Sequence, residues 1–127
     1  MIDFGQIISK ETVIKERNDE IKSLIASRRY DEETKGITVN GMPINTERVS
    51  QSMITGAALS AMLDSNYTCK WKTSVGFIEL NATEVLAVSQ AMRAHVQACF
   101  DREGELSAAV DDGTYLSTML NEGWPSA

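Results

Sequence analysis

The chain has 127 residues, 43% hydrophobic and 24% charged, with a formal net charge of −6. That length suits one domain with a real core, and that balance argues against wholesale disorder and against the basic surface by which proteins hold nucleic-acid phosphates. No apolar run approaches the roughly 18 residues a membrane span needs, and the opening residues, with Asp3 and no basic cluster, predict no secretory signal.

The charge is uneven. From His95 onward Arg102 is the only Lys or Arg, against Asp101, Glu103, Glu105, Asp111, Asp112 and Glu122. Such an end repels nucleic acid and anionic membranes, and suits either a solvated surface or docking on a basic protein. Cys69 and Cys99 are too few for a disulfide framework and read as small buried apolar residues.

Residues 1–10 have no clear period; Phe4, Ile7 and Ile8 make them an N-terminal docking segment. Residues 11–30 read as a helix with a narrow apolar stripe through Ile14, Ile21, Leu24 and Ile25. Ile7, Ile14 and Ile21 lie seven apart with Leu24 at the matching d position, a short coiled-coil-like seam interrupted by Lys10, Arg17 and Arg28. Two readings stay open: a helix packed by one edge on its own domain, or a seam for self-association.

Residues 31–36 form a polar break, and 37–39 a short strand. Asn40-Gly41 predicts a type I′ hairpin turn into Met42-Pro43-Ile44, where Pro43 demands an edge strand. Asn45 or Thr46 is expected to cap a helix running to residue 63, with Val49, Met53, Ile54, Ala57, Ala58, Ala61 and Met62 on a broad apolar face.

Tyr67, Cys69 and Trp71 alternate with Thr68, Lys70 and Lys72, a half-buried strand that turns at 73–76 and returns through 77–80. Asn81 with Glu84 has capping-box spacing and opens the longest helix. Its expected inward face is Val85, Leu86, Val88, Ser89, Met92, Val96, Cys99, Phe100 and Glu103, continued by Leu106, with an end near residue 109. Asp111-Asp112-Gly113 breaks it, and Tyr115, Leu116, Met119 and Leu120 allow a further short helix.

The fold class is therefore α+β: a helix-dominated small domain with two short antiparallel β-hairpins between three main helices. The expected organisation is a docking segment at 1–10, a single domain at 11–110 and an acidic tail with a short helix at 111–127.

The sequence holds little that reads as chemistry. His95 lies four residues before Cys99, so both fall on one helix face, but a metal needs further ligands and a nucleophilic thiol needs an oriented base in a cleft. Cys69 joins them only if the fold brings it there. Asp111-Asp112 and Glu103/Glu105 read as a solvated acidic face, and the scattered glycines form no phosphate-cradling loop. Trp71 and Phe77 read as core packing rather than a stacking platform. Arg28-Arg29 suits a helix C-terminus. No catalytic, cofactor-binding or metal-binding residue is expected, and the chain reads as a non-enzyme.

The ordered features resemble a family of unknown-function domains found in phage and prophage tail-fibre and tail-fibre-assembly proteins. They are the basic-ended helix over 21–29, the hairpin with Gly41, and the helix reading Thr46-Glu47-Arg48-Val49 with Ile54-Thr55-Gly56-Ala57-Ala58-Leu59. The strand tryptophan Trp71, the hairpin ending Phe77-Ile78-Glu79-Leu80-Asn81-Ala82-Thr83-Glu84-Val85-Leu86, and the long helix with His95-Val96 follow.

The resemblance spans residues 14–109 and leaves 111–127 outside. It implies a virion structural protein of the tail or tail-fibre region, made in the host cytoplasm and mediating protein–protein assembly. A fibre-assembly chaperone absent from the mature virion and a small acidic host-directed regulator are the alternatives. The implied partners are tail or fibre proteins and further copies of the chain, as trimer or hexamer, with no nucleic acid and no membrane. Candidate contact residues are Phe4, Ile7, Ile14, Ile21, Leu24, Tyr115, Leu116, Met119 and Trp124. Their apolar clusters are too small to form separate cores, so both ends are expected to order on binding.

Overall fold

The computed structural model describes residues 4–126, with side chains from residue 9 onward. The elements run α1 (Phe4–Thr34), β1 (Ile37–Val39), β2 (Met42–Ile44), α2 (Arg48–Leu63), β3 (Thr68–Thr73), β4 (Gly76–Asn81), α3 (Ala82–Asp112) and a 3-10 turn (Ser117–Asn121). This is the expected α+β arrangement of three helices and two antiparallel hairpins.

Each hairpin is its own two-stranded sheet. In the first, Ile37 faces Ile44 and Val39 faces Met42. Asn40 and Gly41 both take positive φ, 51° and 80°, as the expected type I′ turn requires. In the second, register runs from Thr68 opposite Asn81 to Thr73 opposite Gly76.

The α3 helix is the spine. Asn81 starts it with a complete capping box: its Oδ1 accepts from the Glu84 N–H at 2.9 Å, and the Glu84 carboxylate accepts from the Asn81 N–H at 3.1 Å. Gly113 ends it in the left-handed conformation. The first half of α3 buries Val85, Val88, Met92 and Val96 against hairpin 1 (Ile37, Val39, Ile44), α2 (Ile54, Ala57, Ala58, Ala61) and Leu80 of β4. The second half buries Leu106 and Val110 against Ile25 of α1. Two cores thus share one helix.

The ends differ from expectation. Residues 4–10 belong to α1, and α3 continues to Asp112, so the boundaries drawn at 10 and 110 both fall inside helices. The polar stretch 31–34 is helix, not a break. Beyond the 3-10 turn the chain folds back: Tyr115, Met119, Leu120 and Trp124 pack on the smaller core. Arg102 fastens this segment, donating from Nε to the Glu122 carbonyl at 2.8 Å and from Nη2 to the Met119 carbonyl at 3.1 Å.

Within the chain, α1 packs on the ordinary helical period. Leu24, its expected d residue, is exposed, whereas the adjacent Ile25 is fully buried and Ile21 half-buried. The stripe Ile21, Ile25, Arg28/Arg29, Glu32/Glu33 follows the spacing of a helix packed by one edge on its own domain.

Candidate functional site

Two features stand apart from ordinary packing: a buried polar knot where α1 meets α2 and α3, and an open groove between the hairpins.

The knot centres on Glu33, whose side chain has no exposed surface. Its Oε1 accepts from Arg29 Nη1 at 2.7 Å and Arg48 Nη2 at 3.0 Å, and its Oε2 accepts from Gln51 Nε2 at 2.8 Å. Burial opposes the charge, but the hydrogen bonds from Arg48, Gln51 and Arg29 outweigh it and hold the carboxyl below the usual glutamate range. Arg29 also binds Glu103 of α3 at 2.9 Å and lies 4.4 Å from the Phe100 ring centroid. Phe100, expected to face inward, is instead partly exposed with the guanidinium over its face.

Thr46 does not cap α2; Glu47 takes that position. Thr46 is fully buried, its hydroxyl accepting from the Gly36 N–H at 2.9 Å and donating to the Glu33 carbonyl at 2.7 Å. Asn45 instead accepts from the Glu47 N–H at 2.7 Å. A threonine and a glutamate read from sequence as cap and solvated break thus weld α1 to the start of α2.

His95 and Cys99 come together on α3 as their spacing suggests, 3.9 Å apart. Both are buried. His95 Nε2 lies 2.8 Å from the Glu32 carbonyl. A carbonyl only accepts, so Nε2 carries a hydrogen and donates it, and Nδ1 has no hydrogen-bond partner among the described residues. Burial, reinforced by the carboxylates of Glu32 and Glu33, pushes the Cys99 thiol up to about 11. A ring donating to a carbonyl beside a fully protonated thiol is not an activated nucleophile. Cys69 lies on β3 in the other core, half-buried. No group of three His, Cys, Asp or Glu among the described residues is placed to hold a metal ion.

The groove encloses about 1190 Å³ between hairpin 1, one face of α2 and the edge of β3. Its lining includes Pro43 and Ile44 on one wall, Met53, Gly56, Ala57 and Ser60 along α2, and Tyr67, Cys69, Trp71 and Phe77 on the other wall. Met53 is 59% exposed and Phe77 70%. Sequence reading put Met53 on the broad apolar face of α2 and Phe77 in the core. Periodicity marks which residues are apolar, not which apolar face lacks a cover.

Of the candidate contact residues, Phe4 and Ile7 lie outside the described side chains. Ile14, Leu24 and Leu116 are exposed. Ile21, Tyr115, Met119 and Trp124 pack within the chain on the smaller core. No described helix is long and apolar enough to cross a membrane.

The geometry is that of a small α+β domain with a structural charge network and an uncovered apolar groove. A family model, Domain of unknown function (DUF4376), matches residues 16–121, and the chain belongs to that family. The match takes in the folded-back segment up to residue 121, beyond the limit of 109 that the sequence features suggest. No curated protein and no solved structure matches the chain.

Proposed function

We propose that this chain is a non-enzymatic assembly protein of a phage tail or tail-fibre region, working by docking a partner protein. The observation that carries the docking role is the groove, with Met53 and Phe77 left mostly in water on its walls. Covering a large apolar side chain contributes roughly 1.5–3 kcal/mol, so the groove holds unused association energy. The chain's most elaborate polar constellation, around Glu33, is spent on joining helices: its carboxylate is fully buried and bound by side chains of α1 and α2. The phage setting rests on the resemblance of the ordered sequence features.

The test is mass spectrometry of particles purified from the source that encodes the chain, with copy number measured against a major tail protein. A fixed multiple of three or six is the expected result. Absence from particles, with co-purification from lysates alongside a fibre protein, would replace the structural role with that of an assembly chaperone.

A further inference from the structure

We infer that the groove takes an extended segment of a partner protein, with acidic and apolar residues in alternation, added as a third strand on the free edge of β3. The inference rests on the groove being a docking surface, not on the phage setting.

The β3 residues lining the groove form an unbroken run, Cys69 to Thr73, which Ser74 of the turn continues. A strand that presented one face would contribute every second residue; an unbroken run means its edge opens into the groove. The other edge of β3 is paired with β4. Apart from that ladder, the backbone of residues 68–72 makes no hydrogen bond among the described residues. An unpaired edge beside an apolar trough is the arrangement on which proteins add a strand from another chain. Across the groove, Pro43 sits mid-strand in β2 and has no N–H, so β3 is the wall that offers the ladder.

The pleat then dictates the chemistry of the guest. Cys69, Trp71 and Thr73 are half-buried, while Lys70 and Lys72 point outward. An added strand keeps that alternation, so its inward residues lie beside Cys69 and Trp71 and its outward residues beside Lys70 and Lys72. The first set must be apolar and the second acidic. In a chain of net charge −6, the lining carries Lys35, Lys70 and Lys72 against Glu47 alone. Lys35 is engaged by Glu32, whereas Lys70 and Lys72 have no salt-bridge partner among the described residues.

The floor admits inward side chains. A Cβ placed on Gly56 would meet nothing within 4 Å, and Ala57 and Ser60 beside it are small. The volume exceeds the roughly 300–1,000 Å³ of small-molecule pockets, and six-residue β3 matches a guest about 20 Å long.

The experiment is selection of a random twelve-residue displayed peptide library against the full chain. The expected winners alternate apolar residues with Asp or Glu. A synthetic winner should shield Cys69 from a thiol reagent, lose about tenfold in affinity on Lys70→Glu plus Lys72→Glu, and lose binding when alternate backbone nitrogens are methylated. Gly56→Leu, whose Cβ has open space and whose side chain adds bulk to the floor, should abolish binding, while Gly104→Leu on α3 should not.

Winners that bind the groove but carry basic residues, or apolar residues spaced three and four apart, would overturn strand addition and leave docking intact. Winners indifferent to Gly56→Leu, or no winners, would overturn the groove as a docking surface. A wild-type dimer that Gly56→Leu dissociates would replace the partner protein with a second copy of this chain.

Discussion

At the scale of single residues, Glu33 shows how a charge can be made structural. Its carboxylate is bound by Arg29, Arg48 and Gln51, and its carbonyl by Thr46, so one residue ties α1 to α2 and, through Arg29 and Glu103, to α3. Removing one partner of a buried ion pair strands the others, at a cost of about 3 kcal/mol. Glu33→Ala should therefore lower unfolding free energy by about that much in urea titrations, and Glu33→Gln, which keeps the shape and one acceptor, by about half. The two thiols should also separate. Cys99, fully buried and held protonated, should resist a thiol reagent in the native chain, while half-buried Cys69 reacts; both should react in denaturant. Neither role could be read from sequence. A buried glutamate announces itself only through its partners, and Arg48 and Gln51 lie fifteen and eighteen positions away in another helix.

At the scale of elements, what was legible follows from short-range physics. Asn40-Gly41, the Asn81/Glu84 box and the alternation over 67–72 each depend on a few neighbouring residues, and each stands where the sequence puts it. Asn81→Ala removes the acceptor for the Glu84 N–H and should cost about 1 kcal/mol, read as a shift in the urea midpoint at constant slope. The end of α1 was missed because its inward stripe changes from apolar to charged after Ile25. Arg28, Arg29, Glu32 and Glu33 keep the spacing of Ile21 and Ile25 but look solvated to a hydrophobic pattern. The fate of α2 was half legible. Its apolar character is plain, yet only Ile54, Ala57, Ala58 and Ala61 are buried, and the composition of a helix does not say which of its faces the rest of the fold leaves open.

At the scale of the whole molecule, acid should act on the junction between the two cores. Glu32 and Glu33 both sit below the usual glutamate range: for Glu32 burial opposes the charge but Lys35 and Arg28 outweigh it, and for Glu33 Arg48, Gln51 and Arg29 do the same. With folded values below an unfolded value of about 4.3, their stabilisation is complete above that pH and is lost as pH falls through the folded values. Stability measured from pH 6 to 2 should fall below about pH 4, less steeply in Glu33→Gln. The folded-back segment is the other global tie, held through Arg28 to Asn121 and Arg102 to the Met119 and Glu122 carbonyls. Trp124→Ala should cost about 2 kcal/mol, its half-buried ring setting it below a full core loss, with amide exchange rising first in α1 and the second half of α3.

The sharing of one helix by two cores has a consequence for the order in which the chain can be completed during synthesis. The larger core draws on residues 37–96, a continuous stretch that closes as soon as the first half of α3 has emerged. The smaller core joins Ile25 to Leu106, Val110 and Trp124, so the part of α1 before Arg28, though made first, has no lasting partner until the final residues appear, while its last turn is already tied to α2 through Glu33. Through that wait it has little to hide: its described face is charged and polar along most of its length, and Ile25 is the one fully buried apolar residue among its described side chains. A chain truncated near residue 100 should accordingly resist protease across the hairpins and be cut freely in α1 before Arg28, and restoring the last 25 or so residues should close that window.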